Sequence, residues 1–287
     1  MSMPTLYIYN LNKENKMREQ TKTLTTHNGS FHADEVTAIA LLKIFTNDNF
    51  KITRTRDNKT ISGSDITVDV GGAYNPENNQ FDHHQIDYKG TLSSAGMIFE
   101  YLEIDTNKYS SLTNLIKEVD EQDTGVKRHE PLHYCNLISG FNSENIYSEK
   151  QNTAFLDAID FAIRIINNLI RADEKTYENK IAAEAIEIEK ERNIKIAKVP
   201  KDSSFLPATL FIEKADLVIS FDNGQSCWTV ATVPMKRGEF GSKLSLEPTR
   251  LSSEVFTHKG GFIGKYKETD GSITFKIEGE LINYSVR

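Results

Sequence analysis

The chain has 287 residues, of which 38% are apolar, and this composition supports a packed core and excludes wholesale disorder. With 34 basic and 41 acidic residues the formal net charge is −7, which argues against a partner bound through bulk positive charge, such as a long duplex or an anionic membrane. A nucleic-acid substrate held at a local site stays compatible with this charge, especially where metal ions supply positive charge.

Cys135 and Cys227 are the only cysteines, so we expect no disulfide framework and a reducing, intracellular setting. No apolar run approaches the roughly 18 residues that a membrane-spanning helix needs. Residues 1–20 have the character of an N-terminal extension without the apolar centre of a signal peptide. We therefore expect a cytoplasmic protein without a membrane partner, and the sequence leaves its oligomeric state open.

Residues 21–148 alternate between strand and helix patterns. The periodicity predicts strands over 21–26, 50–56, 65–72 and 80–85, and helices over 34–45, 93–103 and 109–123. Ser94 is a suitable N-cap for the second of these helices. Strands that alternate with helices are typical of an α/β domain with a mostly parallel sheet. In such sheets, ligands bind at the carboxyl ends of the strands.

The second half of the chain divides into a helical stretch and a smaller domain. Residues 149–193 are rich in alanine and glutamate, which favours a helical connector. Residues 194–287 contain strand patterns in "IKIAKVP", "ADLVISFDN" and "SCWTVATVPM", with a helix expected in "PATLFIEKA". We therefore predict a smaller α+β domain at the carboxyl end of the chain.

Histidines and aspartates concentrate where the predicted strands end. His27 follows the first strand, Asp69 lies near the end of the third, and the string "DHH" stands beside the fourth. The candidate metal ligands are His27, His32, Asp34, Asp69, Asp82, His83, His84, Asp120 and Asp123. Imidazoles and carboxylates without thiolates suit Mn²⁺, Fe²⁺, Zn²⁺ or Co²⁺. The number of ligands exceeds what one ion needs, which favours two ions about 3.5–4 Å apart with an aspartate between them.

Several of these residues also have simpler interpretations. Asp34 and Glu35 could both be first-turn acids that favour the helix dipole, and we prefer that interpretation for Glu35 only. Asp120 and Asp123 lie three residues apart on one helical face, so helical spacing leaves both open as a ligand. The three residues 82–84 would alternate between faces of a strand, so a bend is needed if His83 and His84 are to act at one site.

Three motifs in order resemble a known family. "THNGSFHADE", "VDVGGAYNPENNQFDHHQ" and "FTHKGGFIG" are similar to motifs of the MYG (melanocyte-proliferating gene) exonucleases, a branch of the DHH phosphoesterase superfamily. The resemblance covers residues 23 to 270 approximately. It implies a DHH-type metal-binding α/β domain over 21–148 and a C-terminal substrate-binding α+β domain over 194–287.

The resemblance also implies roles for individual residues. His27 and His32 would hold the first metal, Asp34 and His83 the second, and Asp69 would lie between the two. His84 would face the substrate phosphate, while Asp82 would orient the neighbouring imidazoles. The usual first motif of the superfamily has aspartate where His32 stands, which makes this site softer and less charged. The string "DTG" in related enzymes favours Asp123 over Asp120 as the remaining ligand.

Other implied roles lie in the C-terminal domain. In "THKGGFIG", Gly260 and Gly261 would let backbone amides approach a phosphate, and His258 and Lys259 could add donors or charge. Arg250 is a further phosphate-binding candidate. A tight turn between two strands is the alternative interpretation of this segment.

The resemblance implies a hydrolase that uses two divalent ions, with Mn²⁺ preferred over Zn²⁺, Fe²⁺, Co²⁺ or Mg²⁺. The expected reaction is hydrolysis of phosphodiester bonds by water activated at the two metals, with His84, Asp69 and Asp82 as catalytic residues. The expected activity is a 3′–5′ exoribonuclease whose partner is short single-stranded RNA or a nucleotide. The alternatives are a phosphatase of nucleotides or pyrophosphate and a non-catalytic, metal-stabilised binding module.

Overall fold

The computed structural model describes residues 21–46, 48–239 and 241–287, so the predicted extension over 1–20 lies outside the described residues. The chain divides into two compact units, of which the first ends at Glu174 and the second comprises Lys175–Arg287. Each unit has its own buried apolar clusters. Cys135 and Cys227 are both buried and free, as expected.

The first unit is built on a five-stranded sheet. Its strands are β1 (Thr21–Thr26), β2 (Asn49–Arg54), β3 (Ile66–Val68), β4 (Tyr74–Asn75) and β5 (Gln80–Phe81). Their order across the sheet is β2-β1-β3-β5-β4. Strands β1, β2, β3 and β5 pair in parallel, whereas β4 pairs antiparallel with β5. The predicted mostly parallel sheet is therefore confirmed.

Three strands end earlier than the sequence predicts, β2 by two residues and β3 and β5 by four residues each. Strand β3 ends at Val68, because Asp69 takes a left-handed backbone conformation with φ of 54° that cannot continue a strand. Strand β5 ends at Phe81, because the Asp82 carboxylate accepts hydrogen bonds from the backbone amides of Gly72 and His84. The DHH string consequently lies beyond its strand and not within it.

Five helices accompany the sheet among the described residues before residue 149. They are α1 (Ala33–Phe45), α2 (Asn58–Ser62), α3 (Ser94–Tyr101), α4 (Ser110–Asp123) and α5 (Tyr134–Ser139). Every residue of α1 from Ala33 to Leu42 is buried, which explains why its sequence is apolar on more than one face. The N-cap of α3 is Ser93, not Ser94 as predicted, because the Ser93 amide and hydroxyl both bind Asp120.

A long helix, α6 (Glu149–Glu184), begins in the first unit and ends in the second. The predicted helical stretch over 149–193 is too long, since Ile188–Glu191 form a strand, β6, that pairs antiparallel with β7 (Ile194–Lys198). The two residues between these strands include Arg192 at φ of 56°, which is typical of a tight hairpin. In the part of the chain that the structure describes, no helix has both the length and the apolar character to cross a membrane.

The second unit contains two sheets. Its further strands are β8 (Leu217–Asp222), β9 (Cys227–Thr232), β10 (Leu246–Glu247), β11 (Glu254–Thr257), β12 (Ile263–Tyr266), β13 (Ser272–Ile277) and β14 (Glu280–Ser285). One sheet has the order β11-β12-β9-β8-β7-β6 and the other β10-β13-β14. The helix expected over 207–215 is only a 3-10 turn, Ala208–Phe211, because Glu213 takes φ of 70°.

Candidate metal centre

Three predicted polar motifs meet at one edge of the first sheet. His27 follows β1 directly, Asp69 follows β3 and Asp82 follows β5. Because β1, β3 and β5 are parallel neighbours, their carboxyl ends bring these side chains together. The residues that we call the histidine–carboxylate cluster are His27, His32, Asp34, Glu35, Asp69, His83, His84 and Asp123.

Asp69 is the shared member of this cluster. Its Oδ2 atom lies 3.2 Å from His27 Nε2, and its Oδ1 atom lies 3.1 Å from His84 Nδ1 and 3.5 Å from His83 Nε2. Its backbone amide donates to the carbonyl of Phe81, which fixes the turn that aims the side chain. One buried carboxylate therefore faces three imidazoles from two separate segments of the chain.

His27 and Glu35 form a second contact inside the cluster. The Glu35 Oε1 atom lies 3.0 Å from His27 Nε2, and both carboxylate oxygens accept from the His32 backbone amide at the start of α1. The preferred interpretation of Glu35 as a first-turn acid was therefore incomplete, since this fully buried carboxylate also contacts a ligand candidate. Its position three residues after the helix N-cap could have predicted the amide contact, but not the contact with His27.

The electrostatics of the cluster favour positive charge. Burial lowers the pKa of His27, but hydrogen bonds to Asp69 and Glu35 outweigh burial and raise the pKa to about 10. Burial also lowers the pKa of His83, but hydrogen bonds to Asp123 and Asp69 outweigh it and raise the pKa to about 9. Against the effect of burial, hydrogen bonds from the imidazoles hold the pKa of Asp69 well below its usual range. A bound cation could take over the charge that imidazolium protons supply without metal.

Asp34 provides the clearest test of whether the cluster fits a cation. Its carboxylate is fully buried, and neither oxygen has a hydrogen-bond partner among the described residues. Burial raises the pKa of Asp34, and the neighbouring carboxylates raise it further, including that of Glu35, which can contact Asp34 only if one of the two carboxyls is protonated. An unpartnered buried carboxylate is costly, and a metal ion is one of the few groups that can offset this cost. The donor set therefore fits a divalent cation.

The ligand atoms fall into three overlapping groups. Within each group the atoms lie within 4.8 Å of one another. The groups are His27, His32, Glu35 and Asp69; Asp69, His83 and His84; and His32, Asp34 and Asp123. Asp69 belongs to two groups and His32 to two, so the geometry could hold more than one cation.

The three residues of the DHH string differ in their contacts and in their exposure to solvent. Asp82 is buried, and its Oδ1 atom accepts from the backbone amide of His84 and lies 2.9 Å from the His84 ring nitrogen Nδ1. The rings of His83 and His84 lie 4.2 Å apart, and both reach Asp69. The side chain of His84 is 62% exposed, against 9% for His83. His84 can therefore reach a bound molecule, whereas His83 is enclosed by Asp69 and Asp123.

The structure separates Asp123 from Asp120. The Asp123 Oδ2 atom lies 2.9 Å from His83 Nε2. Asp120 instead accepts hydrogen bonds from the amide and hydroxyl of Ser93 and from the amide of Gly96, at the start of α3. A Cβ atom on Gly96 would lie only 2.4 Å from the Asp120 carboxylate, so the contact requires glycine. Asp120 thus binds a helix terminus and is in none of the ligand groups.

The C-terminal candidates lie in the second unit, on the turn between β11 and β12 and just before β11. The amide of Gly260 donates to His258 Nδ1, and the amide of Gly261 donates to the His258 carbonyl. Gly261 has φ of 68°, and a Cβ atom there would lie 2.0 Å from Ser245 Oγ. The tight-turn interpretation thus accounts for both glycines, and substrate binding by Arg250, His258 and Lys259 stays a prediction.

Comparisons with known proteins agree with the motifs. The family model for MYG1 exonucleases, described as "Uncharacterised protein family (UPF0160)", matches residues 23–278. A MYG1 protein of Chlamydia pneumoniae is 41% identical over 156 residues, which cover 52% of this chain and 54% of that protein. The MYG1 protein YER156C of Saccharomyces cerevisiae is 28% identical, over 88% of this chain and 94% of the yeast protein.

A mammalian relative carries an activity in its name. The MYG1 exonuclease of Bos taurus is 26% identical to this chain, over 87% of this chain and 82% of the bovine protein. The matched region spans about half the length of the chlamydial relatives.

Proposed function

This chain belongs to the MYG1 exonuclease family, and on that premise we propose that it is a metal-dependent phosphoesterase of the DHH superfamily. The observation that carries the proposal is the buried, unpartnered carboxylate of Asp34, beside an aspartate that three imidazoles contact. A carboxylate that takes part only in structural ion pairs is expected to have a donor for its oxygens. A carboxylate that binds a cation instead keeps its oxygens available for the metal.

We assign the metal ligands from the cluster. Asp69 would be shared between two divalent ions, with His27 and His32 on one side and Asp34, His83 and Asp123 on the other. Glu35 lies close enough to His27 to orient its ring or to join as a ligand. Mn²⁺ suits this set of imidazoles and carboxylates, and Zn²⁺, Fe²⁺, Co²⁺ and Mg²⁺ are the alternatives. Bound divalent ions would supply positive charge and lower the pKa of a water molecule, as phosphodiester hydrolysis at neutral pH requires.

The chain's own residues would position the phosphate. Hydrogen bonds to Asp69 and Asp82 raise the pKa of His84 to about 10, so at neutral pH the exposed imidazole is a cation. Asp82 holds Nδ1 of that ring, which leaves Nε2 free to donate to a phosphate oxygen. Asp82 in turn is fixed by the amide of Gly72. The ring is thus held in place before substrate arrives, which reduces the cost of ordering it.

The substrate class follows from the relatives and from charge. Mammalian relatives are named exonucleases, which favours a nucleic-acid end as the substrate. The net charge of −7 favours a short strand held locally over a long duplex held by many basic residues. We therefore propose short single-stranded RNA, shortened from its 3′ end.

Hydrolysis of 5′-labelled oligoribonucleotides in Mn²⁺ tests the proposal, with Asp69→Asn as the key variant. We expect a loss of more than about 100-fold in kcat/KM, because the shared carboxylate no longer holds the metals. Asp87→Asn is the matched control, since Asp87 is exposed and lies outside the cluster. Metal content of each variant is measured by mass spectrometry.

Each outcome separates the candidate functions. A ladder of 5′-labelled products supports 3′–5′ cleavage, and immediate release of labelled mononucleotide supports the opposite polarity. Turnover of mononucleotides or pyrophosphate without cleavage of oligomers would replace the nuclease by a small-molecule phosphatase. Bound metal without turnover of any phosphoester would support a binding module. Equal activity of Asp69→Asn and the unaltered chain would refute the proposed site.

A further inference from the structure

Arg56 and Tyr147 line the cavity of about 550 Å³ that the cluster also lines, although neither belongs to a ligand group. Cavities of this size accommodate small organic ligands. His27, Asp69 and His84 line one part of the wall, so a molecule in the cavity would touch both the cluster and these two residues. The proposed metals and His84 account for one phosphate. They do not account for an arginine and an aromatic ring beside it.

Arg56 lies just beyond the carboxyl end of β2, at the same edge of the sheet as His27. The amide of Thr55 donates to the carbonyl of Thr26, so β1 and β2 stay paired up to the residue before Arg56. The neighbouring carboxylate of Asp57 accepts hydrogen bonds from the amide and hydroxyl of Thr60, so its partner is Thr60 and not Arg56. Among the described residues, no carboxylate pairs with the exposed Arg56 guanidinium. Its charge remains available for an anion.

Arg54, two residues earlier, shows the contrast. Its guanidinium donates to the carbonyl of Gly29 and lies 4.6 Å from the centre of the Phe155 ring. The guanidinium of Arg54 thus binds the loop after β1, whereas Arg56 lines the cavity without a comparable hydrogen bond among the described residues. An arginine with a free planar guanidinium is suited to bidentate binding of a phosphate.

Tyr147 is exposed, but its backbone is fixed beside the same loop. The Asn142 side chain binds both the amide and the carbonyl of Phe31, and Gln151 donates to the carbonyl of Gly29. These bonds tie residues 142–151 to residues 29–31, and a Cβ atom on Gly29 would lie 3.9 Å from the Tyr147 ring. Tyr147 is nevertheless 78% exposed, and none of the aromatic ring contacts among the described residues involves it. A large aromatic face at a cavity mouth, without a partner, is suited to stacking on a planar ligand.

We propose that this part of the cavity is a nucleotide subsite, in which Arg56 binds a phosphate group and Tyr147 stacks on the adjoining base. The inference rests on the proposed phosphoesterase function and adds the two residues that select nucleotides among phosphate esters. A ribose phosphate or pyrophosphate offers no base to the tyrosine. The pair therefore favours a nucleic-acid end over a small inorganic or sugar phosphate.

Equilibrium binding tests the two residues separately, with adenosine 5′-monophosphate and ribose 5-phosphate as probes of the full chain in Mn²⁺. We expect Tyr147→Ala to weaken adenosine 5′-monophosphate binding about tenfold and to leave ribose 5-phosphate binding unchanged, since only the first probe has a base. Tyr147→Phe keeps the ring and should bind like the unaltered chain. Arg56→Gln should weaken both probes about tenfold, and Arg128→Gln, an exposed control in the same unit, should weaken neither.

Kinetics on short oligoribonucleotides give a second readout. Arg56→Gln and Tyr147→Ala should raise KM with a smaller change in kcat, because both contacts lie outside the cluster. Unchanged binding of both probes in Arg56→Gln, or equal weakening of both probes in Tyr147→Ala, would overturn the subsite. If the unaltered chain hydrolyses no phosphoester but the binding pattern holds, the proposed function fails and the nucleotide subsite stands. If hydrolysis occurs without the binding pattern, the subsite alone fails.

Discussion

The histidine–carboxylate cluster and the glycine-rich turn at 258–261 differ in whether their polar atoms have hydrogen-bond partners. In the cluster, Asp34 is buried with two carboxylate oxygens that have no partner among the described residues. In the turn, the amides of Gly260 and Gly261 both find acceptors on His258. A turn whose amides are hydrogen-bonded internally needs no ligand. A buried carboxylate without a hydrogen-bond donor is costly unless a ligand binds it.

The same contrast exists within the first unit, between Asp34 and Asp120. Asp120 is also a buried carboxylate, but three donors at the start of α3 surround it. Burial nevertheless raises the pKa of Asp120, to about 6. Asp120 therefore contributes to the fold, whereas we propose that Asp34 binds metal, so substitutions should affect stability and activity differently at the two positions.

The largest expected effect comes from Asp34→Asn. We expect kcat/KM to fall by more than about 100-fold, because a neutral amide is a poor ligand for a divalent ion. At a Mn²⁺ concentration 100-fold above Kd, metal stabilises the unaltered chain by about 2.7 kcal/mol, and this variant should lose most of that gain. Chemical unfolding with Mn²⁺ and with chelator measures the difference. A variant that is destabilised equally in both conditions would make Asp34 a structural residue.

Asp120→Ala should do the reverse. We expect a loss of about 2 kcal/mol in unfolding free energy, with or without metal, because the buried donors of Ser93 and Gly96 lose their acceptor. Metal content per folded molecule should stay the same. The comparison of urea unfolding with metal analysis checks both statements. Loss of metal in this variant would place Asp120 among the ligands.

The pH dependence of metal affinity should reveal the imidazolium protons. The pKa values of His27 and His83, about 10 and about 9, mean that both rings are protonated at pH 7 without metal. Each ring that binds a cation must lose its proton, so affinity should rise with pH by about tenfold per unit for each proton displaced, and level off above pH 9 to 10. Calorimetric titration with Mn²⁺ in two buffers of different ionisation enthalpy counts the protons. No proton release at pH 7 would contradict this charge assignment.

Gly261→Ala should have the smallest effect of the four and act on stability alone. We expect a loss of about 1 kcal/mol, because alanine is strained at φ of 68° and its methyl group displaces Ser245. Mn²⁺ affinity should not change. Lys259→Ala on the same turn, with an exposed side chain, should alter stability by less than about 0.5 kcal/mol. A weakened Mn²⁺ affinity in Gly261→Ala would show that the turn does more than join two strands.

Much of the fold was predictable because local periodicity and local chemistry agree. The threonine-rich strand over 21–26 has the predicted bounds, and the helix predicted over 34–45 begins one residue earlier. The errors fall where a single residue overrides its neighbours. Asp69 ends β3 through a positive φ, and the hairpin at Arg192 ends the helical pattern early. Neither conformation is visible in hydrophobic periodicity.

The sequence by itself predicted a mostly parallel first sheet and placed His27, Asp69 and the DHH string near the ends of its strands, because strands that alternate with helices favour parallel pairing. Only the tertiary structure shows that Asp120 and Asp123 have different partners, Ser93 and His83, since helical spacing keeps both on one face and those partners come from distant segments. It also decided that Glu35 contacts His27 and that Arg56 and Tyr147 share a cavity. Contacts between side chains far apart in the chain depend on how the elements pack, and a pattern along one segment carries no record of that packing.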